Sequence, residues 1–359
     1  MNEKTTRRRR SAPTIRDVAR MANVSSMTVS RVINGEANVR PSTREAVNAA
    51  ISALSYSPNS AARSLAGAGQ DRIGLLYSNP SAAYLSEFLV GSLDQASRSD
   101  VQLIIEKCDL GDHEVEVAKH LIESGIGGLI LPSPLCDSAK LIETIVAEGV
   151  PAVLVGSGRP DKSLFAVSID EFAAAYSMTR HIVALGHHRI GFIVGNPAQT
   201  ASEERLRGYR QALADAHMPA DDALIARGLF TYRSGLDAAE ALLDVANPPT
   251  AIFASNDDMA AATVAVAHRR GLDVPGDLTV CGFDDTTLAT AIWPELTTIH
   301  QPIADMSRAA VEMLVSTIRR RGAPSSDAPQ HVLLDFTLVR RQSDAAPRRR
   351  PPSRTTIPA

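Results

Sequence analysis

Long apolar runs are missing from this 359-residue chain. No stretch approaches the roughly 18 uninterrupted apolar residues that a spanning helix needs, so no membrane association is expected. The N-terminus is basic, but no apolar stretch of about 7–15 residues follows it, and a secretory signal is not expected. Cysteine is scarce. Cys108, Cys136 and Cys281 lie far apart and match no metal-ligand spacing, which points to a reducing, cytoplasmic setting with no metal and no cofactor. Catalytic signatures are absent too: there is no P-loop, no Gly-x-Ser-x-Gly and no Rossmann fingerprint at a first strand.

What is present is long enough for two or three domains and ordinary in balance, with 44% apolar and 21% charged residues. The formal charge of −3 hides an asymmetry. Residues 1–66 hold eleven Lys/Arg against four Asp/Glu, a balance of +7, which leaves −10 for the rest. Cations gathered at one end, beginning with Arg7 to Arg10, fit a polyanionic partner or a solvated tail.

The stretch TIRDVARMANVSSMTVSRVIN, residues 14–34, separates those readings. Thr14 can cap a helix, with Asp17 reaching back to it. Ile15, Val18, Ala19 and Ala22 then share one helical face. Asn23 interrupts, and it tolerates the left-handed backbone of a tight turn. Ser25 caps a second helix in which Val29, Val32 and Ile33 recur at helical spacing. A third helix reads from Ser42 to Leu54, with Ala46, Val47, Ala50, Ile51 and Leu54 inward. Two short helices joined by a few residues make a helix-turn-helix, whose second helix enters the major groove. Its first turn offers Ser26, Met27 and Thr28, with Arg31 one turn later. Hydroxyls read several bases, Met can touch a thymine methyl, and Arg can pair bidentately with guanine. A generic three-helix bundle is the alternative.

This stretch, continued by VRPSTREAVNAAISALSYSPNSAARSL, closely resembles the N-terminus of LacI/GalR-type transcriptional regulators. The resemblance implies that Ser26, Met27 and Arg31 read the operator. It implies that Thr14, Ser25, Thr28, Ser30 and Asn34 touch phosphates or cap helices. Asn23 stands where that family commonly has Gly. SPNSAARSLAG resembles the family's hinge, in which Asn59 can cap about two helical turns, too short to be stable alone in water. By resemblance Leu65 wedges into the minor groove, with Ala62 and Arg63 as neighbouring contacts; such insertion kinks the duplex.

From Ile73 onward short apolar runs alternate with helical patterns. The strands read IGLLY, VQLII, GGLIL, AVLV, AVSI, IGFIV, TAIFA and LTVCGF, with helices at 82–98, 171–186, 202–216, 256–271 and 303–320. Such alternation implies parallel sheets wound on both faces, with ligands outside the carboxyl ends of the strands. The expected fold is an α/β core of two doubly wound parallel-sheet lobes, periplasmic-binding-protein-like of type I, carrying an all-α helix-turn-helix N-terminal domain. The expected divisions are a disordered basic tail 1–13, the DNA-binding domain 14–57 and a hinge and linker 58–70. The two-lobed effector-binding and dimerisation core follows at 71–341. Lobe 1 takes about 71–169 and 302–330, and lobe 2 about 170–301 and 331–341. Residues 342–359, rich in Pro and Arg, read as a disordered tail.

Asn256 and Asp284 each follow a strand of the second lobe, and Arg205 lies near the start of a helix after IGFIV. All three converge on one rim, where a carboxylate can accept from, and a guanidinium donate to, adjacent hydroxyls of a sugar. Matching positions contact the effector in the resembling family. From the first lobe, Tyr77, Asn79, Tyr84 and Phe88 are candidates. Plainer roles compete: Asn256 and Asp284 as caps, Arg205 paired with Glu203 or Glu204, and Tyr84 with Phe88 as core. His187 and His188 fall in a helix-to-strand turn rather than a metal site. Gly156 stands where the lac repressor has an acidic, sugar-contacting residue. The expected function is a dimeric, sequence-specific regulator, a repressor of carbohydrate-utilisation genes, that binds a palindromic operator and answers a small sugar-like effector in the cleft. The alternative is a sugar-binding α/β protein or enzyme without operator function.

Overall fold

The computed structural model describes residues 14–33, 39–54, 71–111, 113–219, 221–320 and 329–348. The chain divides into two units, Met1–Gln70 and Asp71–Ala359. The expected basic tail 1–13 lies outside the described residues, as do the whole hinge and linker 58–70 and the end of the chain from 349.

In the first unit α1 spans Ile15–Met21, α2 Ser26–Ile33 and α3 Pro41–Leu54. The Asp17 carboxylate accepts from the Thr14 backbone N–H at 2.9 Å and from its hydroxyl at 2.7 Å, which fixes the start of α1. Asn23 turns the chain between helices at φ 53°. The Ser25 hydroxyl then accepts the Thr28 N–H at 3.1 Å, capping α2. Val18, Ala19, Val29, Val32, Val47 and Ala50 form the core. Full burial of a Val is worth about 1.5–3 kcal/mol, so three zero-exposure valines, one per helix, tie the bundle together. Ala46 is exposed rather than inward, because the 47–50–51–54 face of α3 turns it away.

The second unit holds two six-stranded sheets. The first comprises β1 Arg72–Tyr77, β2 Gln102–Lys107, β3 Gly128–Pro132, β4 Ala152–Val155, β5 Phe165–Ser168 and β11 His331–Leu333. The second comprises β6 Ile190–Val194, β7 Ile225–Arg227, β8 Ala251–Ala254, β9 Thr279–Asp284, β10 Thr297–His300 and β12 Thr337–Val339. Their orders, β11-β5-β4-β3-β1-β2 and β12-β10-β9-β8-β6-β7, repeat one plan. Every pairing is parallel except β12 against β10. The central strands β3, β4 and β8 are buried throughout, which is why they read as continuous apolar runs.

The helices that position the cleft follow strands. They are α4 Ala82–Arg98, α5 His113–Glu123, α6 Ala139–Glu148, α7 Glu171–Ala184, α8 Thr200–Asp215, α9 Tyr232–Leu243, α10 Asp257–Arg269, α11 Thr287–Ala291 and α12 Ile303–Arg319. The chain passes into the second lobe after β5 and returns through Gln301 and Pro302 to α12, which packs against α4 and the first sheet. It crosses a third time later than 331, because His331–Leu333 pairs with β5 in the first sheet and only Thr337–Val339 joins the second.

One expectation is corrected. Residues 342–348, read as the start of a disordered tail, are packed against the second lobe. The Ser343 hydroxyl accepts from Thr297 N at 2.8 Å and donates to Val280 O at 2.6 Å. The buried Asp344 carboxylate meets His181 at 2.9 Å and Arg340 at 3.0 Å. Burial opposes its charge, but bonds from His181, Thr297 and Arg340 hold its pKa down at about 2. Composition suggested solvation; long-range hydrogen bonding to β9 and β10 overrides it.

Candidate functional site

In the first unit, the face of α2 opposite the buried Val29 and Val32 carries the residues expected at DNA. Ser26 and Arg31 are exposed, and Met27 is 65% exposed. Thr28 and Ser30 are half-buried at its flanks, and Thr14 and Ser25 are exposed at the two helix starts. An apolar side chain held out in water at the start of a helix is set for contact with a partner. Asn34, Asn59, Ala62, Arg63 and Leu65 lie outside the described residues.

The second unit contains a small polar cavity between its two lobes. Of the seven effector candidates, Asn79, Tyr84, Arg205, Asn256 and Asp284 line it. Tyr77 and Phe88 do not. Phe88 is wholly buried, its ring stacked 6.3 Å from that of Tyr84, so it belongs to the core of the first lobe.

Arg205, on the first turns of α8, is 5% exposed and pairs neither with Glu203 nor with Glu204; those two carboxylates meet Arg159 instead. Its Nε donates to Glu171 Oε2 at 2.7 Å, and Nη1 to the Ser255 carbonyl. The guanidinium carbon lies 3.6 Å over the Phe283 ring, and Asp284 Oδ1 is 3.9 Å from Nη1. Burial pushes the Glu171 carboxyl up, and the Arg205 guanidinium in contact at 2.7 Å opposes that shift.

Asn256 caps a helix and also lines the cavity. Its Oδ1 accepts from Met259 N at 3.0 Å, capping α10, while Nδ2 donates to Phe230 O at 3.1 Å and to Asp258 at 3.3 Å. Asp284 ends β9 at φ 106°, followed by Asp285 at φ 59°. Two successive non-glycine residues in that region require support. It comes from Asp257, which accepts from Thr286 N at 2.8 Å and Thr298 Oγ1 at 2.7 Å. Burial pushes the Asp284 carboxyl up, with the charges of Asp257 and Glu171 adding and Arg205 opposing.

The first-lobe wall is laid down by the turn after β1. Asn79 Oδ1 accepts from Ser81 N at 2.8 Å, and its Nδ2 donates to Ser133 O at 3.2 Å. Several bonds cross the cleft, among them Ser81 Oγ to Asp258 Oδ2 at 2.6 Å, Ser133 Oγ to Gln199 Oε1 at 2.9 Å and Thr200 N to Asp137 Oδ2 at 3.0 Å. Burial keeps Tyr84 a hydroxyl, a donor and acceptor rather than an anion. Gly156 lines the cavity at φ 79°, and a Cβ there would lie 3.4 Å from the Tyr84 oxygen. Sequence reasoning missed Ser81, Ser133, Gln199, Phe230 and Gln301 on the wall, and Glu171 behind it. Only their places after strand ends could have marked them.

Among the described residues no group of three or more His, Cys, Asp and Glu is arranged to hold a metal, and no helix is long and apolar enough to cross a membrane. His187 is bonded to Thr250 Oγ1 and the Ala345 carbonyl, each at 2.8 Å.

A helix-turn-helix unit followed by a two-lobed α/β body with a polar cleft defines a ligand-responsive transcription factor. Residues 14–59 match the lacI family of bacterial regulatory proteins, and residues 179–343 match the periplasmic binding protein-like domain. Catabolite control protein A of Priestia megaterium is 35% identical over 315 residues, covering 87% of this chain and 95% of that protein. The transcriptional regulator CelR of Thermobifida fusca is 35% identical over 342 residues, covering 93% and 99%. A solved lac repressor dimer bound to operator and the anti-inducer ONPF superposes with TM-score 0.77 at 28% identity, covering 94% of this chain and 100% of that one. A CelR–cellobiose complex gives TM-score 0.71 at 33% identity, covering 92% and 99%. The chain therefore belongs to the lacI family and is a DNA-binding transcriptional regulator.

Proposed function

We propose that this regulator represses carbohydrate-utilisation genes as a homodimer on a near-palindromic operator, and that a neutral, hydroxyl-rich small molecule in the interlobe cleft is its effector. One observation carries the effector class. The cavity's single arginine is already neutralised by buried Glu171, while Asp284 and Asp258 add acidic character. An anionic ligand such as a sugar phosphate would meet no uncompensated cation, whereas a sugar finds acceptors, donors and the Phe230 ring. Cellobiose in the CelR complex is a ligand of that class.

In this reading Arg205, Asn256, Asp284, Asn79 and Tyr84 hold the effector. Ser26, Met27 and Arg31 read bases, and Thr14, Ser25, Thr28, Ser30 and Asn34 position the head on phosphates. Asn59, Ala62, Arg63 and Leu65 belong to a hinge that orders in the central minor groove. Two linked heads supply the effective concentration that one lacks. Its work lies on the nucleoid, in the cytoplasm. Lobe rotation couples effector to hinge, and a coupling of about 1–3 kcal/mol would change operator affinity roughly 5–150-fold. A mobility-shift titration on the upstream DNA, repeated with neutral sugars and with their phosphates, tests the proposal. A response to phosphorylated sugars alone would overturn the effector class. Failure to bind any promoter fragment as a dimer would overturn operator function.

A further inference from the structure

The helix that carries Arg205 does not cap itself. Gln199 stands at the N-cap of α8, but its side chain makes no capping bond; its Oε1 accepts from Ser133 instead. The acceptor at the start of α8 comes from the other lobe. Asp137 ends a short 3-10 turn, Leu135–Asp137, that follows β3 in the first lobe. Its Oδ2 accepts from the Thr200 N–H at 3.0 Å. Its Oδ1 accepts from the Thr200 hydroxyl at 2.8 Å and from the Ser157 hydroxyl at 2.7 Å. The Thr200 oxygen in turn accepts from the Gly158 N–H of the first lobe at 2.9 Å. A carboxylate placed there meets both an otherwise unpaired N–H and the positive end of the helix dipole. Asp137, Ser157, Gly158 and Thr200 all lie off the cavity wall.

We infer that Asp137 is a positioning residue that caps α8 across the cleft, so that the protein latches its own lobes together before any small molecule is bound. The inference does not depend on the chemistry of the effector. Opening the lobes withdraws the cap from α8 and takes the Thr200 oxygen away from the Gly158 N–H, and both donors must then turn to water. Gly158 shows how closely the lobes meet. A Cβ on it would lie 2.9 Å from the carbonyl carbon and oxygen of Thr200 and 3.0 Å from Ala201 N, backbone atoms that cannot swing aside. The segment between β4 and β5 is therefore seated backbone on backbone against the first turn of α8. Beside it Arg159 pairs with Glu203 at 2.5 Å and with Glu204 at 2.6 Å, but the arginine is half exposed and such pairs add little. Arg205 follows on the same helix, so the latch fixes where its guanidinium stands relative to the first-lobe wall.

The test is hydrogen–deuterium exchange resolved to single amides, on the full-length protein with no small molecule added. The Gly158 and Thr200 amides report on the latch from opposite lobes, because each is bonded to an atom of the other. Asp137→Ala should speed exchange at Gly158 roughly two- to thirtyfold, the range for loss of a helix cap, although Gly158 has lost no partner of its own. Gly158→Ala removes no hydrogen-bonding group and wedges the lobes apart only where they touch. It should speed exchange at Thr200 roughly tenfold or more, the scale of an overpacked contact. The β3 amides, bonded within the first sheet, should keep the parent rates in both variants. If Asp137→Ala frees Thr200 but leaves Gly158 as slow as in the parent, Asp137 merely caps a helix and the latch is overturned. An unchanged Thr200 amide in Gly158→Ala would overturn it as well, and so would β3 amides released by the same factor, since the whole lobe would then have loosened.

Discussion

Replacing Glu171 by Gln keeps the volume and removes the charge that faces Arg205. Both groups are almost wholly buried, at 6% and 1% side-chain exposure, and the guanidinium lies against the Phe283 ring. The remaining carboxylate, Asp284, is 3.9 Å away and is itself pushed towards its protonated form by burial. Breaking one partner out of a buried pair costs about 3–5 kcal/mol, because a charge is left without compensation. For a unit of this size a melting temperature moves about 2–4 °C per kcal/mol, so Glu171→Gln should melt roughly 6–20 °C below the parent. Asp222→Asn, which breaks the exposed pair with Arg210, is the control and should lose less than about 1 kcal/mol. Scanning calorimetry with both variants settles the comparison. A companion double variant, Glu171→Leu with Arg205→Met, should recover much of the loss, since apolar residues of like size often replace a buried pair without cost. Were Glu171→Gln to melt within 2 °C of the parent, the claim that Arg205 depends on this carboxylate would be refuted. Operator binding without effector, measured below the transition, should survive the substitution, whereas the ligand response should not.

Other perturbations separate the parts. Arg31→Ala should cost about 1–3 kcal/mol on the specific operator while salt-sensitive nonspecific binding persists; unchanged discrimination in a competition mobility shift would contradict base reading by Arg31. Asp284→Ala should leave operator affinity intact and abolish the ligand response, and loss of DNA binding would reassign it to structure. His187 is held neutral by burial, only partly offset by its bond to the Ala345 carbonyl, so its pKa falls below the ordinary 6.5. The unfolded chain then binds the proton more readily, and the stability this imidazole contributes is present above pH 6.5 and lost as pH falls through its lowered value. The gap in melting temperature between the parent and His187→Gln should narrow from pH 7.5 to pH 5; a gap independent of pH would show that His187 does not titrate there.

The first unit was legible almost residue by residue, since caps, a left-handed Asn23 and 3.6-residue periodicity are local properties. The same holds for buried parallel strands such as β3 and β4, whose apolar runs announce them. Strands of three residues, such as β7, β11 and β12, carry no such pattern. In β10 the buried Thr297 and Thr298 look polar, and the bonds from their hydroxyls to Asp344 and Asp257 make them tolerable inside. The cleft was legible at Arg205, Asn256 and Asp284 because ligands gather at strand ends. Glu171 and Gln301 were not, because their meaning comes from partners 34 and 17 positions away. Phe88 misled for the opposite reason: helical spacing beside Tyr84 says which face is apolar, not how deep it lies.

The backbone at Gly156 has a bearing on how ligand preference can evolve in this chain. A left-handed φ disfavours any side chain there, and the space above it ends at the Tyr84 hydroxyl. An acidic residue, the substitution that would copy the lac repressor, would need the segment between β4 and β5 to be re-bent before it could reach a sugar. New tastes should therefore be acquired on the opposite side, at positions such as Gln199 and Gln301, where one base change alters a side chain without rebuilding a turn.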